Sequence, residues 1–192
     1  MNQFLATTAT SLGLVALAEL GDKSQMVCMT LAASHRPWPV LGGAVVAFAL
    51  LNALAVLFGA SVAAWLPDWL VAAVVAVLFA FFGFKSLLEE EERGEVPAWQ
   101  RGHGVFLSTL LLIFMAEFGD KTQLAVAGLS GTQKALPVWL GATLALVGTT
   151  ALGVWTGCTV LTRLPMGLVQ KVCGLLFLLL AVGAVLRVVQ VL

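Results

Sequence analysis

The chain carries the same charged octapeptide twice, at Ala18–Gln25 and at Ala116–Gln123, and each copy lies inside a long apolar segment. The two copies read AELGDKSQ and AEFGDKTQ. An ionisable side chain at membrane depth costs roughly 2.5–3.5 kcal/mol on insertion scales, so such groups persist mainly where they have a function. The two matching clusters therefore restrict the chain to folds that bury charge within a membrane, and they indicate a site for a small cation.

The composition is that of a polytopic membrane protein. Hydrophobic residues make up 60% of the chain, charged residues only 10%, and the mean hydropathy is +1.02. A soluble domain of this length would need far more polar surface. The formal net charge of +0 gives no indication of a nucleic-acid partner. The three cysteines match no disulfide framework or zinc site, and they are interpreted as buried apolar residues.

Six apolar runs are long enough to cross a bilayer. Because lipid offers the backbone no hydrogen-bond partners, each run is predicted to be a helix, which makes the fold class all-α with six transmembrane helices. The predicted spans are residues 3–33, 38–65, 68–88, 104–131, 136–161 and 166–189.

An internal repeat relates the two halves of the chain at a constant offset of 98 residues, since 117 − 19 = 98. The same offset pairs Pro39 with Pro137, Gly43 with Gly141, and Gly59 with Gly157. We therefore predict a first three-helix repeat over residues 1–88, an acidic linker over 89–103 and a second repeat over 104–192. An odd number of helices per repeat inverts the second copy in the membrane, which is the plan of many secondary transporters.

The distribution of basic residues predicts the orientation. The side that carries the linker holds six basic residues, and the side that carries both termini holds only Lys134 and Arg187. By the positive-inside rule, the linker 89–103 is predicted to be cytoplasmic and both termini to lie outside. The six residues on the linker side are Arg36, Lys85, Arg93, Arg101, Arg163 and Lys171.

The octapeptides offer oxygen ligands. On a helix, Glu19, Asp22 and Gln25 share one face through their i, i+3, i+6 spacing, and so do their second-copy equivalents Glu117, Asp120 and Gln123. Ser24 and Thr122 add hydroxyl groups at matching positions. Gly21 and Gly119 weaken the helix and permit a local break. An all-oxygen set suits Ca²⁺, Mg²⁺ or Mn²⁺, and neither motif contains a His or Cys that would favour Zn²⁺ or Cu⁺.

The charges of the motifs suggest exchange with protons. Four carboxylates contribute −4, and Lys23 and Lys121 contribute +2, which leaves −2 for one divalent cation or two protons to neutralise. Crowded carboxylates in a low dielectric bind protons in competition with metal. Competition for one site, combined with alternating access, is sufficient for a cation/proton antiporter. The lysines could instead pair with Glu19 and Glu117 or reach an interface.

The paired E-x-G-D-K/R-S/T signature resembles the cation/proton exchangers that include the Golgi calcium/manganese transporters of eukaryotes and small bacterial manganese exporters of the MneA type. The resemblance covers both motifs, the layout of three plus three helices and the acidic linker. It implies that Glu19, Asp22, Glu117 and Asp120 carry metal and protons, with Gln25, Gln123, Ser24 and Thr122 as helpers. It also implies export of Mn²⁺, with Ca²⁺ as a second possible cargo, from a bacterial plasma membrane. The only partners it implies are the metal ion, protons and the lipid bilayer, without a resident cofactor.

Two other function classes remain open at the level of the sequence. An intramembrane metal-dependent hydrolase would need a nucleophile or base and phosphate-gripping arginines at membrane depth, whereas the motifs supply neither His nor Arg. An exporter of small organic solutes would need a roomy apolar pocket rather than dense acidic ligands. For Asn52, in the middle of the second span, we favour an interhelical hydrogen bond over metal ligation because its repeat equivalent is Thr150. The sequence carries no feature that predicts an oligomeric state.

Overall fold

The computed structural model is helical throughout the part of the chain that it describes, residues 2–19, 28–29, 31–32, 35–88, 104–161 and 166–191. Gly21, Asp22, Lys23, Ser24, Gln25 and the predicted linker 89–103 lie outside the described residues. The helices are α1 (Asn2–Glu19), α2 (Pro37–Trp65), α3 (Asp68–Leu88), α4 (Val105–Glu117), α5 (Lys121–Thr132), α6 (Ala135–Leu161) and α7 (Met166–Val191).

Most predicted spans correspond to these helices. Within the described residues, the stretches Pro37–Trp65, Asp68–Lys85 and Ala135–Trp155 are long and apolar enough to cross a membrane, and Val105–Glu117 and Gly174–Leu186 are shorter apolar helices. The fourth predicted span differs, because residues 104–131 do not form one helix. They form α4 and α5, which are separated by a break at residues 118–120.

The apolar residues face both inward and outward, as membrane helices do. Phe48, Ile113 and Val126 are fully buried between helices, whereas Leu57 and Phe58 are 64% and 65% exposed on the outer surface of α2. A water-soluble protein of this size could not expose so many large apolar side chains without aggregating, but lipid solvates them. The exposed apolar surface therefore agrees with a membrane-embedded helical protein.

Several helix crossings bring backbones into direct contact at glycines, and two of these crossings are equivalent in the repeat. A methyl group added at Gly43 of α2 would lie 2.5 Å from the carbonyl oxygen of Phe106 on α4, and one added at Gly141 of α6 would lie 2.4 Å from the carbonyl oxygen of Thr8 on α1. The two contacts are equivalent at the repeat offset, since 141 − 43 = 98 and 106 − 8 = 98. Small residues permit this close packing of membrane helices, in which van der Waals contact replaces the hydrophobic effect.

Helix α2 lies at the centre of the bundle, against α4, α5 and α6. The Asn52 amide donates a hydrogen bond of 3.1 Å to the hydroxyl of Thr143 on α6, and the Trp139 indole donates one of 3.1 Å to the carbonyl of Ala49. The interhelical hydrogen bond predicted for Asn52 is thus confirmed, and its partner is Thr143. The most extensive interface joins α3 to α7, where the rings of Phe79 and Phe177 lie 5.8 Å apart.

Candidate cation site

The second octapeptide forms a break between two helices. Helix α4 ends at Glu117 and α5 begins at Lys121, and Gly119 between them has a φ of +82°. A backbone φ in this range is rarely adopted by residues with a side chain and cannot continue a right-handed helix. The break that Gly119 was predicted to permit is therefore present, and it interrupts the helix for three residues, 118–120.

Hydrogen bonds within the motif stabilise the break. The backbone N–H of Gly119 donates to Oε1 of Gln123 at 2.5 Å, and the N–H of Asp120 donates to the carbonyl oxygen of Glu117 at 3.1 Å. The Gln123 amide also donates to the carbonyl oxygen of Leu51 on α2, at 3.4 Å. Gln123 therefore satisfies the Gly119 N–H, which the interrupted helix leaves without a helical partner, and it ties the start of α5 to α2.

Because of the break, Glu117, Asp120 and Gln123 do not share the face of one continuous helix, as their spacing predicted. Glu117 is the last residue of α4, Asp120 is the N-cap residue of α5, and Gln123 lies in the first turn of α5. The prediction assumed helical dihedrals through Gly119, whose positive φ redirects the chain. Asp120 reaches the site from a helix N-terminus, where the backbone partial charge favours an anion.

Three carboxylates from the two octapeptides meet at this break. Glu19, Glu117 and Asp120 each offer an oxygen atom, and these three atoms lie within 4.8 Å of one another. Glu19 is 1% exposed and Glu117 is 6% exposed, whereas Asp120 is partly exposed. Glu19 ends α1, so the cluster joins the first octapeptide to the second, although the two are 98 residues apart in sequence.

A hydroxyl group links the two octapeptides directly. Thr122, on the first turn of α5, donates a hydrogen bond to Oε1 of Glu19. Both residues are buried, and they belong to opposite halves of the chain. A donor in this position stabilises the carboxylate and fixes its orientation toward the cluster.

The cluster has the chemistry of a cation site. Three carboxylates this close repel one another in a low dielectric, so bound protons or a cation must compensate their charge. Among the His, Cys, Asp and Glu residues that the structure describes, only the three carboxylates belong to this cluster. Oxygen ligands of this kind suit hard divalent ions such as Mn²⁺, Ca²⁺ and Mg²⁺. The geometry therefore permits exchange of a divalent cation for protons at one site.

Not all of the predicted ligands and helpers can be placed. Asp22, Lys23, Ser24 and Gln25 lie outside the described residues, so their roles remain predictions. Lys121 is the half-buried first residue of α5. The side-chain oxygen of Gln123 accepts one hydrogen bond, from the Gly119 N–H, and has a second lone pair available for a metal ion. Its role as a ligand therefore also remains a prediction.

Two interhelical contacts were not predicted: the carbonyl oxygen of Leu51 accepts a hydrogen bond from Gln123 of the second octapeptide, and the hydroxyl of Thr143 accepts one from Asn52. A backbone carbonyl has no signature in the sequence. At the repeat offset, Thr143 corresponds to Val45, so the comparison of the two halves does not single it out. Only the packing of α2 against α5 and α6 reveals these contacts.

The helical fold and its exposed apolar surface are those of a membrane protein, and the buried carboxylates form a candidate cation site. The sequence matches the family described as "Divalent cation/proton antiporter GDT1" over residues 7–94 and 105–190. The chain belongs to this family, and it is therefore a transporter and not an enzyme. This result removes the hydrolase alternative and favours a divalent cation over an organic solute as the cargo.

Individual relatives agree with this assignment. The chain is 33% identical over 182 residues to a Vibrio cholerae protein named as a candidate manganese exporter, and the match covers 93% of this chain and 90% of that protein. It is also 33% identical to a GDT1-like protein of Synechocystis sp., covering 93% of this chain and 96% of the relative. GDT1-like protein 3 of Arabidopsis thaliana is 27% identical, over 88% of this chain and 67% of the plant protein. No solved structure matches the chain.

Proposed function

We propose that this protein exports Mn²⁺ from the cytoplasm in exchange for protons, through a site that both halves of the chain build together. The observation that carries the proposal is the carboxylate cluster of Glu19, Glu117 and Asp120, with Glu19 hydrogen-bonded to Thr122 of the other half. A site divided between two halves changes its access when the halves move against each other, which is the basis of alternating access in transporters with inverted repeats.

Three observations support an architecture of two inverted three-helix repeats. The segments that match the family begin at residues 7 and 105, and 105 − 7 = 98. The contact of Gly43 with α4 is repeated by the contact of Gly141 with α1 at the same offset. Moreover, α3 packs against α7, which is its equivalent in the second half. In this proposal, residues 1–88 and 104–192 are the two repeats and residues 89–103 connect them.

The exchange with protons follows from the charges at the site. When the cation leaves, the carboxylates cannot all remain ionised in a buried cluster, so protons replace it. Two protons per divalent cation would keep the charge of the site constant, and either would neutralise the net −2 of the predicted set that includes Asp22, Lys23 and Lys121. Such an exchange is electroneutral, and a current during transport would rule out this stoichiometry.

The choice of manganese and of export follows from the ligand chemistry, the name of a relative and the distribution of basic residues. Oxygen ligands accept both Mn²⁺ and Ca²⁺, and the name of the Vibrio cholerae relative favours manganese and export. The basic residues of the linker side predict that this side faces the cytoplasm of a bacterial plasma membrane, with both termini outside.

The test is metal uptake into proteoliposomes under an imposed pH gradient, with Mn²⁺ and Ca²⁺ measured separately. We expect the gradient to drive Mn²⁺ flux, and we expect Glu19→Gln or Glu117→Gln to reduce it at least about 100-fold, since each removes an interaction on which transport depends. The matched control is Asp68→Asn, which changes an exposed carboxylate at the start of α3 and should transport like the wild type. Flux that ignores the gradient would contradict antiport, and flux of Ca²⁺ alone would contradict the choice of metal.

A further inference from the structure

An open polar cavity lies at the end of the molecule where α1 begins and α5 ends. Its volume is about 650 Å³. Its walls include Thr7 and Thr10 of α1, Thr132 of α5, and Gln133 and Lys134 of the loop that follows α5. Hydroxyl and amide groups of this kind hold water, which lipid-facing surfaces of a membrane protein do not.

A second cavity provides a contrast. It has a volume of about 90 Å³, lies between α2, α3 and α5, and is lined by apolar side chains such as Phe58, Val62 and Leu78. The two cavities therefore differ in the polarity of their lining.

The two helices that form the walls of the polar cavity converge on the carboxylate cluster. Helix α1 runs from Thr10 at the cavity to Glu19 at the cluster, and α5 runs from Thr122 at the cluster to Thr132 at the cavity. At a rise of about 1.5 Å per residue, the cavity floor lies roughly 13–15 Å from the cluster along each helix. The hydrogen bond from Thr122 to Glu19 joins the two walls at their inner end.

We propose that this cavity is the aqueous vestibule through which the metal ion and protons pass between the carboxylate cluster and the Lys134 side of the membrane. The Thr122–Glu19 hydrogen bond joins α1 to α5 at the cluster itself, beyond the floor of the vestibule, and closes the path between the two. The inference rests on the proposed antiport, because it assigns the cavity to the pathway of the same site. With both termini outside, the vestibule is the side on which Mn²⁺ is released.

Lys134 places a positive charge beside this vestibule, where it opposes the return of a released cation. At the repeat offset Lys134 corresponds to Arg36, since 134 − 36 = 98, and Arg36 is exposed at the N-terminus of α2. Lys134 lines the cavity and Arg36 does not. Arg36 is therefore a matched control for the effect of the Lys134 charge.

The test is modification of an introduced cysteine by membrane-impermeant thiol reagents, applied from the Lys134 side of reconstituted protein. Thr10→Cys places the thiol in the cavity, and Leu12→Cys places it on the same helix two residues away, outside the cavity lining. Because thiol reagents attack the thiolate, which forms in water, we expect Thr10→Cys to react at least about 10-fold faster. We also expect modification of Thr10→Cys to remove most of its Mn²⁺ flux. The wild type reports any reaction of the native cysteines.

The outcomes separate this inference from the proposed function. Equal and slow modification of the two cysteines, or fast modification of Thr10→Cys that leaves its flux unchanged, would overturn the vestibule. Thr7→Cys, also in the lining, replaces Thr10→Cys if that variant does not fold. Absence of proton-driven flux before any modification would instead refute the proposed antiport, independently of the labelling rates.

The charge of Lys134 is tested in the Thr10→Cys background. A unit charge that acts over about 10 Å of water changes each rate roughly 2-fold, in opposite directions for cationic and anionic reagents. We therefore expect Lys134→Gln to raise the ratio of cationic to anionic modification about 4-fold at low ionic strength, and salt to weaken the effect. Arg36→Gln should leave the ratio unchanged. An equal effect of both variants, or none from Lys134→Gln, would overturn the placement of Lys134 beside the pathway.

Discussion

The crossing of α1 with α6 and the crossing of α2 with α4 have nearly the same geometry but different surroundings. The glycine at each crossing approaches a carbonyl oxygen of the facing helix, with distances for an added methyl group of 2.4 Å at Gly141 and 2.5 Å at Gly43. Beside Gly43, however, the ring of Phe106 covers Gly42. The residue equivalent to Phe106 is Thr8, which lies between two residues of the cavity lining, Thr7 and Thr10, but is not part of that lining.

This difference separates what the two halves share from what distinguishes them. Backbone contacts at Gly43 and Gly141 are common to both halves because they depend only on the absence of a side chain. The side chains around the crossings have diverged, with Phe106 in place of Thr8 and Leu140 in place of Gly42. We infer that the backbone contacts at the two glycines hold each pair of helices together, whichever side chains surround the crossing.

The largest expected effect concerns the two glutamates, which the comparison treats as equivalent. Mn²⁺ at about 100 times its Kd should stabilise the detergent-solubilised protein by about 2.7 kcal/mol, because it binds only the folded state. Glu19→Gln and Glu117→Gln should each abolish this stabilisation, and Asp68→Asn should preserve it. Thermal unfolding with and without Mn²⁺ measures the effect. If only one glutamate matters, the cation site belongs to one half of the chain.

The two crossing glycines give the next largest effect. Gly43→Ala and Gly141→Ala should each destabilise the fold by about 1–3 kcal/mol, since the added methyl group meets backbone atoms that cannot move without separating the helices. Gly148→Ala on α6 is the control, because nothing lies within 4 Å of its added methyl group. The midpoint of thermal unfolding in detergent is the measurement. A much larger loss at one crossing than at the other would break their equivalence.

The next prediction concerns the rate of transport and not the stability of the fold. It tests the Thr122 hydroxyl group, which joins the two halves of the chain. Thr122→Val keeps the shape of the side chain but removes the donor to Glu19. A hydrogen bond to a charged group contributes about 1.5–3 kcal/mol, so transport should slow at least about 10-fold. Thr122→Ser retains the donor and should transport nearly as well as the wild type. Initial rates of Mn²⁺ flux in proteoliposomes decide the matter, and equal rates for the Val and Ser variants would exclude a role for the hydroxyl.

The smallest effect concerns Asn52 and Thr143, which join α2 to α6 without an equivalent in the repeat. Their hydrogen bond should contribute about 0.6 kcal/mol of coupling energy, the average for such bonds between membrane helices. A double-mutant cycle with Asn52→Leu and Thr143→Val, followed by thermal unfolding, measures it. Loss of Mn²⁺ flux in Asn52→Leu with little loss of stability would point instead to the metal ligation that we consider less favoured for Asn52.

The sequence was sufficient for those parts of the fold that depend on local composition and on the repeat. Apolar run length predicted α2, α3 and α6 to within a few residues, and the charged octapeptides predicted Glu19, Glu117 and Asp120 as members of one cluster. The glycine in the motif correctly predicted a break in the helix. These predictions succeed for two reasons. Lipid offers the backbone no hydrogen-bond partners, so apolar runs form helices, and a charge at membrane depth is costly, so it persists mainly where it has a function.

Only the tertiary structure decided how these parts meet. The sequence placed Glu117, Asp120 and Gln123 on one helical face, whereas the positive φ of Gly119 turns the chain so that Gln123 bonds the break and Thr122 reaches Glu19. Likewise, the polar cavity beside Lys134 and the partner of Asn52 depend on which helix faces which. A sequence fixes the dihedral preferences and the polarity of each segment, but contacts between distant segments depend on packing across the whole bundle, which local preferences do not encode.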